Sequence, residues 1–135
     1  MPGTTSPFRK NVLIVEDEPD TAEMLAEMIR LCGYEVLHTY SGKSALEMIS
    51  NSNIVAIILD IILPDLSGLE VVRRLRLDPQ YSKLPVIIVS GNIHPDEIEQ
   101  GLQAGASLYL TKPIGFGELK DALDTLIKPN KSLKT

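Results

Sequence analysis

The run Ile54-Val55-Ala56-Ile57-Ile58-Leu59 is apolar without interruption and is closed by Asp60. A half-exposed strand alternates apolar and polar residues. An unbroken run of this kind has to be covered on both faces, as an interior strand of a parallel sheet is. Helices must then lie above and below it. The carboxylate falls where the strand leaves the sheet, and open α/β sheets carry their sites at the carboxyl ends of their strands. A second apolar strand, Val12-Leu13-Ile14-Val15, is closed by Glu16 and Asp17. If the two strands are neighbours, three carboxylates gather at one edge, a costly arrangement unless a cation joins them.

The rest of the chain is consistent with such a sheet. Its 135 residues suffice for one domain with a real core. With 44% hydrophobic and 23% charged residues, the composition is globular rather than disordered. A net charge of −5 argues against direct nucleic-acid binding, which needs a basic surface. The single cysteine, Cys32, rules out an intramolecular disulfide and points to a reducing compartment; it reads as a buried small hydrophobe. No apolar stretch reaches membrane-spanning length, and Met1–Pro7 lacks an apolar signal core, so a cytoplasmic location without membrane association is expected.

Strand and helix signals alternate along the chain. Residues 1–9 read as a flexible tail. A strand over about 10–16 precedes a helix opened by Pro19, with Ala22, Leu25, Ala26 and Ile29 on its inner face and Gly33 as its stop. Tyr34–Thr39 is a second strand. A second helix spans about Gly42–Ser50, with Ala45, Leu46 and Ile49 inward. After the third strand, Ile54–Asp60, the capping-box form Ser67-Gly68-Leu69-Glu70 opens a third helix that turns Leu69, Val72 and Leu75 inward. Asp78–Ser82 reads as loop and Pro85–Val89 as a fourth strand. A fourth helix starts near Pro95, carries Ile98 and Leu102, and ends near Gly105. Ser107–Leu110 is a short fifth strand. The fifth helix aligns Phe116, Leu119, Leu123 and Leu126 and is stopped by Pro129. Residues 129–135 fit either a C-terminal tail or the start of a linker.

This alternation gives an α/β fold with a doubly wound five-stranded parallel sheet and five helices on two faces. In the flavodoxin-like order 2-1-3-4-5, strands one, three, four and five lie side by side. Their carboxyl ends then bring together Glu16, Asp17, Asp60, Ser90 and the segment leading to Lys112.

Read in order, these segments resemble the receiver domain of two-component response regulators. They are Val15-Glu16-Asp17-Glu18, Leu59-Asp60-Ile61-Ile62-Leu63-Pro64-Asp65-Leu66-Ser67-Gly68, Val89-Ser90-Gly91, Gly105-Ala106 and Tyr109-Leu110-Thr111-Lys112-Pro113. The resemblance runs from about Lys10 to Lys128 and implies a receiver domain over 10–128. It implies that Asp60 accepts a phosphoryl group from a sensor histidine kinase or a phosphotransfer protein and passes a signal to a downstream effector of unknown kind. It further implies Mg²⁺ held by Glu16, Asp17, Asp60 and the backbone carbonyl of Ile62. Lys112 would pair with Asp60 and then with the phosphoryl group, and the bond to Pro113 would be cis. Ser90 and Tyr109 would form the switch that relays the change to the face of helix four, strand five and helix five. The physical chemistry agrees: a carboxylate can attack phosphorus, and two anions approach each other only with cationic help. Such a chain modifies itself and turns over no separate substrate, so it is not expected to be an enzyme in the usual sense.

Departures from the family pattern qualify the picture. Gly91 stands in place of the usual alanine after the switch residue. Ile62 and Asn92 occupy positions that tune phosphoryl lifetime, and an apolar Ile62 cannot orient a water, so slow autodephosphorylation is expected. Ser107-Leu108 replaces the two acids of many DNA-binding regulators, and helix five lacks their arginine; a monomer or weak dimer is therefore expected. His38 and His94 read as surface or loop histidines, and Asp96, Glu97 and Glu99 as a solvated helix face.

Two other classes fit these residues less well. An aspartyl-nucleophile hydrolase or phosphotransferase of the haloacid dehalogenase type places a second aspartate two residues on, where this chain has Ile62. A phosphate-independent receiver-like interaction module would tolerate loss of site residues, whereas the set Glu16, Asp17, Asp60, Ser90 and Lys112 is intact.

Overall fold

A computed structural model describes residues 10–127. The tails expected at 1–9 and 129–135, Lys128 and the stop at Pro129 lie outside the described residues. Strands and helices alternate as β1 (Asn11–Val15), α1 (Pro19–Leu31), β2 (Glu35–Thr39), α2 (Gly42–Asn51), β3 (Ile54–Leu59), α3 (Gly68–Leu77), β4 (Val86–Ser90), α4 (Pro95–Ala104), β5 (Leu108–Thr111) and α5 (Phe116–Leu126). The five strands form one parallel sheet in the order β2-β1-β3-β4-β5. This is the expected doubly wound, flavodoxin-like arrangement.

Period-two alternation divides the apolar strands between two cores. Val12 and Ile14, Ala56 and Ile58, Ile87 and Val89 face one way and pack with Leu25 and Ile29 of α1 and Leu119 and Leu123 of α5. Leu13 and Val15, Ile57 and Leu59, Val86 and Ile88 face the other way and pack with Ala45 and Ile49 of α2 and Leu69, Val72 and Leu75 of α3. Burying each large aliphatic side chain contributes about 1.5–3 kcal/mol, and neither face can be left open. That is why β1, β3 and β4 carry no alternating polar residues.

The helix ends follow local chemistry. Pro19 occupies the first turn of α1, and the Glu18 carboxylate caps it by accepting from the Thr21 amide. Gly33 at φ +97° and Gly105 at φ +119° take the left-handed conformation after α1 and α4. Several expectations fail in detail. Pro79–Tyr81 is a short 3-10 turn rather than plain loop. The capping box does not form: Ser67 caps α3 by accepting from the Leu69 amide, one residue before Glu70, and Glu70 pairs with Arg73 and Arg74 instead. Phe116, aligned with the apolar stripe of α5, is exposed; on α4, Leu102 is exposed and Ile98 half-buried. Helix α4 instead comes close to the sheet at Gly101, where a Cβ would stand 2.9 Å from the Tyr109 ring and 3.1 Å from Ile88. A small residue makes that contact, so no apolar stripe announces it.

Gly68 shows how tightly the third loop is folded. Its amide donates to the Ile61 carbonyl at 2.7 Å. A Cβ there would overlap the Asp60 carbonyl and lie 2.8 Å from Ile61 Cα. These are backbone atoms and cannot swing aside. Gly68→Ala is therefore expected to lower stability by about 1–3 kcal/mol, the usual cost of overpacking. Urea unfolding checks this, with the midpoint falling and the slope unchanged.

Candidate functional site at the carboxyl edge of the sheet

Glu16, Asp60 and Lys112 each lie just past the end of a strand and are each held there by one further backbone bond. The Glu16 amide donates to the Thr39 carbonyl at 3.1 Å, the Asp60 amide to the Val15 carbonyl at 3.1 Å and the Lys112 amide to the Ser90 carbonyl at 2.8 Å. The sheet thus fixes the backbones of β1, β3 and β5 up to the residues that carry charge. The Lys112–Pro113 peptide is cis, as the sequence implied.

The three side chains meet. Lys112 Nζ donates to Asp60 Oδ2 at 2.9 Å and to Glu16 Oε1 at 3.2 Å. The other Glu16 oxygen accepts from the Glu18 amide at 3.2 Å, and Asp60 Oδ1 from the Ile62 amide at 3.1 Å. The side chains of Glu16, Asp60 and Lys112 are 3%, 11% and 27% exposed, so these are not surface ion pairs. Desolvation raises the Glu16 carboxyl above its ordinary value; the Glu18 amide opposes this, the Asp60 charge adds to it, and Lys112 lowers it. Burial acts most strongly on Lys112 and favours its neutral form, but the bonds and charges of Asp60 and Glu16 together raise it. The ammonium is therefore secure, while two carboxylates share it.

Beside this triad, Ser90 is buried at the end of β4. Its Oγ accepts from the Asn92 amide at 3.2 Å, which leaves its own proton free to donate. The Tyr109 hydroxyl donates to the Asn92 carbonyl at 2.9 Å. Asn92 also takes the His94 amide on its side-chain oxygen at 2.9 Å, and His94 Nδ1 caps α4 by accepting from Asp96 N at 3.2 Å.

A receiver-domain model matches residues 12–124, described as the response regulator receiver domain. The chain belongs to the response regulator receiver domain family. Among curated relatives it is 35% identical over 119 residues to the phosphate regulon transcriptional regulatory protein PhoB of Pseudomonas aeruginosa, covering 88% of this chain and 52% of that protein. The receiver domain of a sensor histidine kinase from Pseudomonas aeruginosa, solved with a magnesium ion coordinated in its active-site cleft, superposes with a TM-score of 0.82. It is 30% identical and covers 90% of this chain and 99% of that one. Chemotaxis protein CheY4 of Vibrio cholerae gives a TM-score of 0.81 at 27% identity, covering 87% and 98%. The chain spans only 27% and 52% of the length of the first two curated relatives it matches. No helix among the described residues is long and apolar enough to cross a membrane.

The receiver's acids test what cation they could hold. Glu16, Asp60 and Asp17 offer only oxygen, the chemistry of a hard divalent ion that takes one or two carboxylates and keeps several waters. Among the described residues no three Asp, Glu, His or Cys side chains are closed into a metal cage. Lys112 bridges Glu16 and Asp60, and Asp17 is exposed. The donors thus fit a partly hydrated ion rather than an all-protein cage.

Two residues near the receiver site escaped the sequence reading. His38 lies half-buried in β2, not on a surface loop, and bonds the Glu16 carbonyl through Nε2 at 2.9 Å. Asp65, in the loop after Asp60, accepts from the Gly42 and Lys43 amides at 2.8 and 2.9 Å and so caps α2. The Lys43 and then the Gly42 amide hold its carboxyl at about 2, against an ordinary 3.8. A lowered acid stabilises the fold fully above the ordinary value and loses that contribution as pH falls through the lowered one. Asp65→Asn is expected to lower Tm by a few degrees at neutral pH. Between pH 3.8 and about 2 the gap from wild type should close, which thermal unfolding across that window reads directly.

Proposed function

We propose that this receiver is a phosphoryl-accepting switch in which Asp60 takes a phosphoryl group from a sensor histidine kinase or a phosphotransfer protein, with Mg²⁺. The observation that carries this reading is Lys112 Nζ bonded to Asp60 and Glu16 together. A nucleophilic carboxylate stands at a nearly dry sheet edge with a committed ammonium beside it. An Asp60 oxygen forms a bond to phosphorus as the bond from phosphorus to the donor's imidazole nitrogen breaks, and the nitrogen keeps that electron pair. Lys112 follows the charge from the carboxylate to the phosphoryl oxygens. The Ile62 amide holds Asp60 Oδ1 and orients the carboxylate. Glu16, Asp17, Asp60 and the Ile62 carbonyl would hold Mg²⁺, which when bound neutralises the facing anions. The chain turns over no separate substrate.

Ser90 and Tyr109 supply the response. Both are joined through Asn92, by its amide and its carbonyl respectively. Drawing the Ser90 hydroxyl toward a phosphoryl oxygen releases the Asn92 amide, shifts the loop and loosens the Tyr109 anchor. The exposed Ile93, Leu102 and Phe116 give the face of α4, β5 and α5 apolar contacts for an effector. We assign the receiver to residues 10–128 and place its work in the cytoplasm as a monomer or weak dimer that contacts no nucleic acid itself.

The deciding experiment is intact-mass analysis after incubation with acetyl phosphate, with and without Mg²⁺, on wild type and Asp60→Asn. One Mg²⁺-dependent phosphoryl adduct, absent in the variant, is expected. An adduct retained by Asp60→Asn would refute the assignment, and no adduct with either acetyl phosphate or a histidine kinase would leave a phosphate-independent interaction module. Ile62 is 73% exposed and offers water no polar side-chain atom. Ile62→Asn is expected to shorten the half-life of the phosphoryl adduct, and an unchanged half-life would count against a role for this side chain.

A further inference from the structure

The main chain of Glu16 is gripped from β2 at both polar atoms. Its N–H donates to the Thr39 carbonyl at 3.1 Å, extending the β1–β2 ladder one residue past the strand. Its carbonyl accepts from His38 Nε2 at 2.9 Å. β2 ends at Thr39 and the chain turns through Tyr40 and Ser41 into α2. An imidazole therefore supplies the donor where a longer strand would supply an amide. The ring is itself positioned, edge-on to Tyr40 with centroids 4.4 Å apart. A carbonyl only accepts, so Nε2 must carry the proton, which is true of one neutral tautomer and of the imidazolium alike.

A peptide group is planar, so the direction of the Glu16 carbonyl fixes the direction of the Asp17 amide and the place of the Asp17 Cα. The Glu16 side chain has its own restraints in Lys112 and the Glu18 amide. Asp17, exposed, relies on the course of the main chain. We propose that His38 is a positioning residue of the acid pocket: through the Glu16 carbonyl it sets the plane of the Glu16–Asp17 peptide and so aims the Asp17 carboxylate at the cation site. This rests on the proposed Mg²⁺ role of Asp17. His38 itself touches neither cation nor phosphoryl group.

Two substitutions separate the donor from the ring. His38→Phe keeps a planar ring and loses the N–H. His38→Gln loses the ring and keeps an amide N–H at similar reach. Mg²⁺ affinity is read by calorimetry and by the Asp17 amide resonance in two-dimensional NMR, with thermal unfolding to verify that each variant is folded. His38→Phe is expected to weaken Mg²⁺ binding about tenfold or more, as loss of a ligand-orienting partner does. His38→Gln is expected to stay close to wild type, and without metal the Asp17 amide should move in His38→Phe but not in His38→Gln. Equal affinity in wild type and His38→Phe, or equal weakening in both variants, would overturn the proposal. If wild type takes up no Mg²⁺, the proposed metal role fails, and the metal-free spectra still decide: an Asp17 amide unmoved in His38→Phe overturns the inference. Should His38→Phe not fold, His38→Leu, which also lacks the donor, replaces it.

Discussion

Two carboxylates share one ammonium at the edge of a buried sheet, and much of the molecule follows from keeping them there. Glu16 and Asp60 could each escape to water if their loops were slack. They cannot, because each is the residue at which an apolar strand, sealed on both faces, comes to an end. The strand interior supplies rigidity and its terminus supplies charge. A lone buried carboxylate would protonate or force its loop open. Lys112, delivered from β5, supplies the compensating charge for both. Burial, with the Asp60 charge adding to it, still raises the Glu16 carboxyl against the Glu18 amide and Lys112.

The surrounding loops are built to hold this edge by close backbone approach rather than by side-chain bulk. Gly68 lets α3 begin against the Asp60 backbone, and Asp65 ties the same loop to the amino end of α2. Arg76, near the end of α3, donates to the carbonyls of Gly105 and Tyr81 at 2.9 and 2.8 Å and joins the far ends of α3 and α4. The loop after Asp60 is thus braced by its neighbours on the α2–α3 side. The loop from Gly91 to His94 is exposed throughout and is tied to β4 and β5 at Asn92, through Ser90 and Tyr109. Close backbone contacts are thus concentrated around Asp60, while the loop after Ser90 is the more exposed.

That division explains what was legible in the sequence. The strands and the inner face of α1 were plain, because Ala22, Leu25, Ala26 and Ile29 repeat at helical spacing and all are buried. Asp60, Lys112 and Ser90 stood out because each closes or follows a strand. Three of the failures share a cause: the partner was a backbone atom or a small residue, and neither leaves a pattern. His38 bonds a carbonyl, and Asp65 caps a helix that begins more than twenty residues earlier in the chain. Gly101 carries the closest approach of α4 while Leu102 beside it is exposed. Glu70 matched the capping-box form, yet two arginines one turn on offered it opposite charge, and the solvent-side pairs formed instead.

The size of the restraints on the loop from Gly91 to His94 bears on how a switch here would work. The loop is tied at Asn92 by two neutral hydrogen bonds, from its amide to Ser90 Oγ and from Tyr109 to its carbonyl. Each contributes about 0.5–1.5 kcal/mol net, whereas a hydrogen bond to a charged oxygen contributes about 1.5–3 kcal/mol. A single bond from Ser90 to a phosphoryl oxygen is therefore of the same order as the bonds it would break. Full inversion of a two-state equilibrium needs about 5.5 kcal/mol, more than one such bond supplies. The remainder has to come from a second source, and the apolar side chains already exposed around α4 offer one. An effector that covers Ile93, Leu102 or Phe116 in only one loop position adds its own differential burial. On these magnitudes a switch of the proposed kind would draw on both the phosphoryl contact and the burial of apolar side chains by a partner.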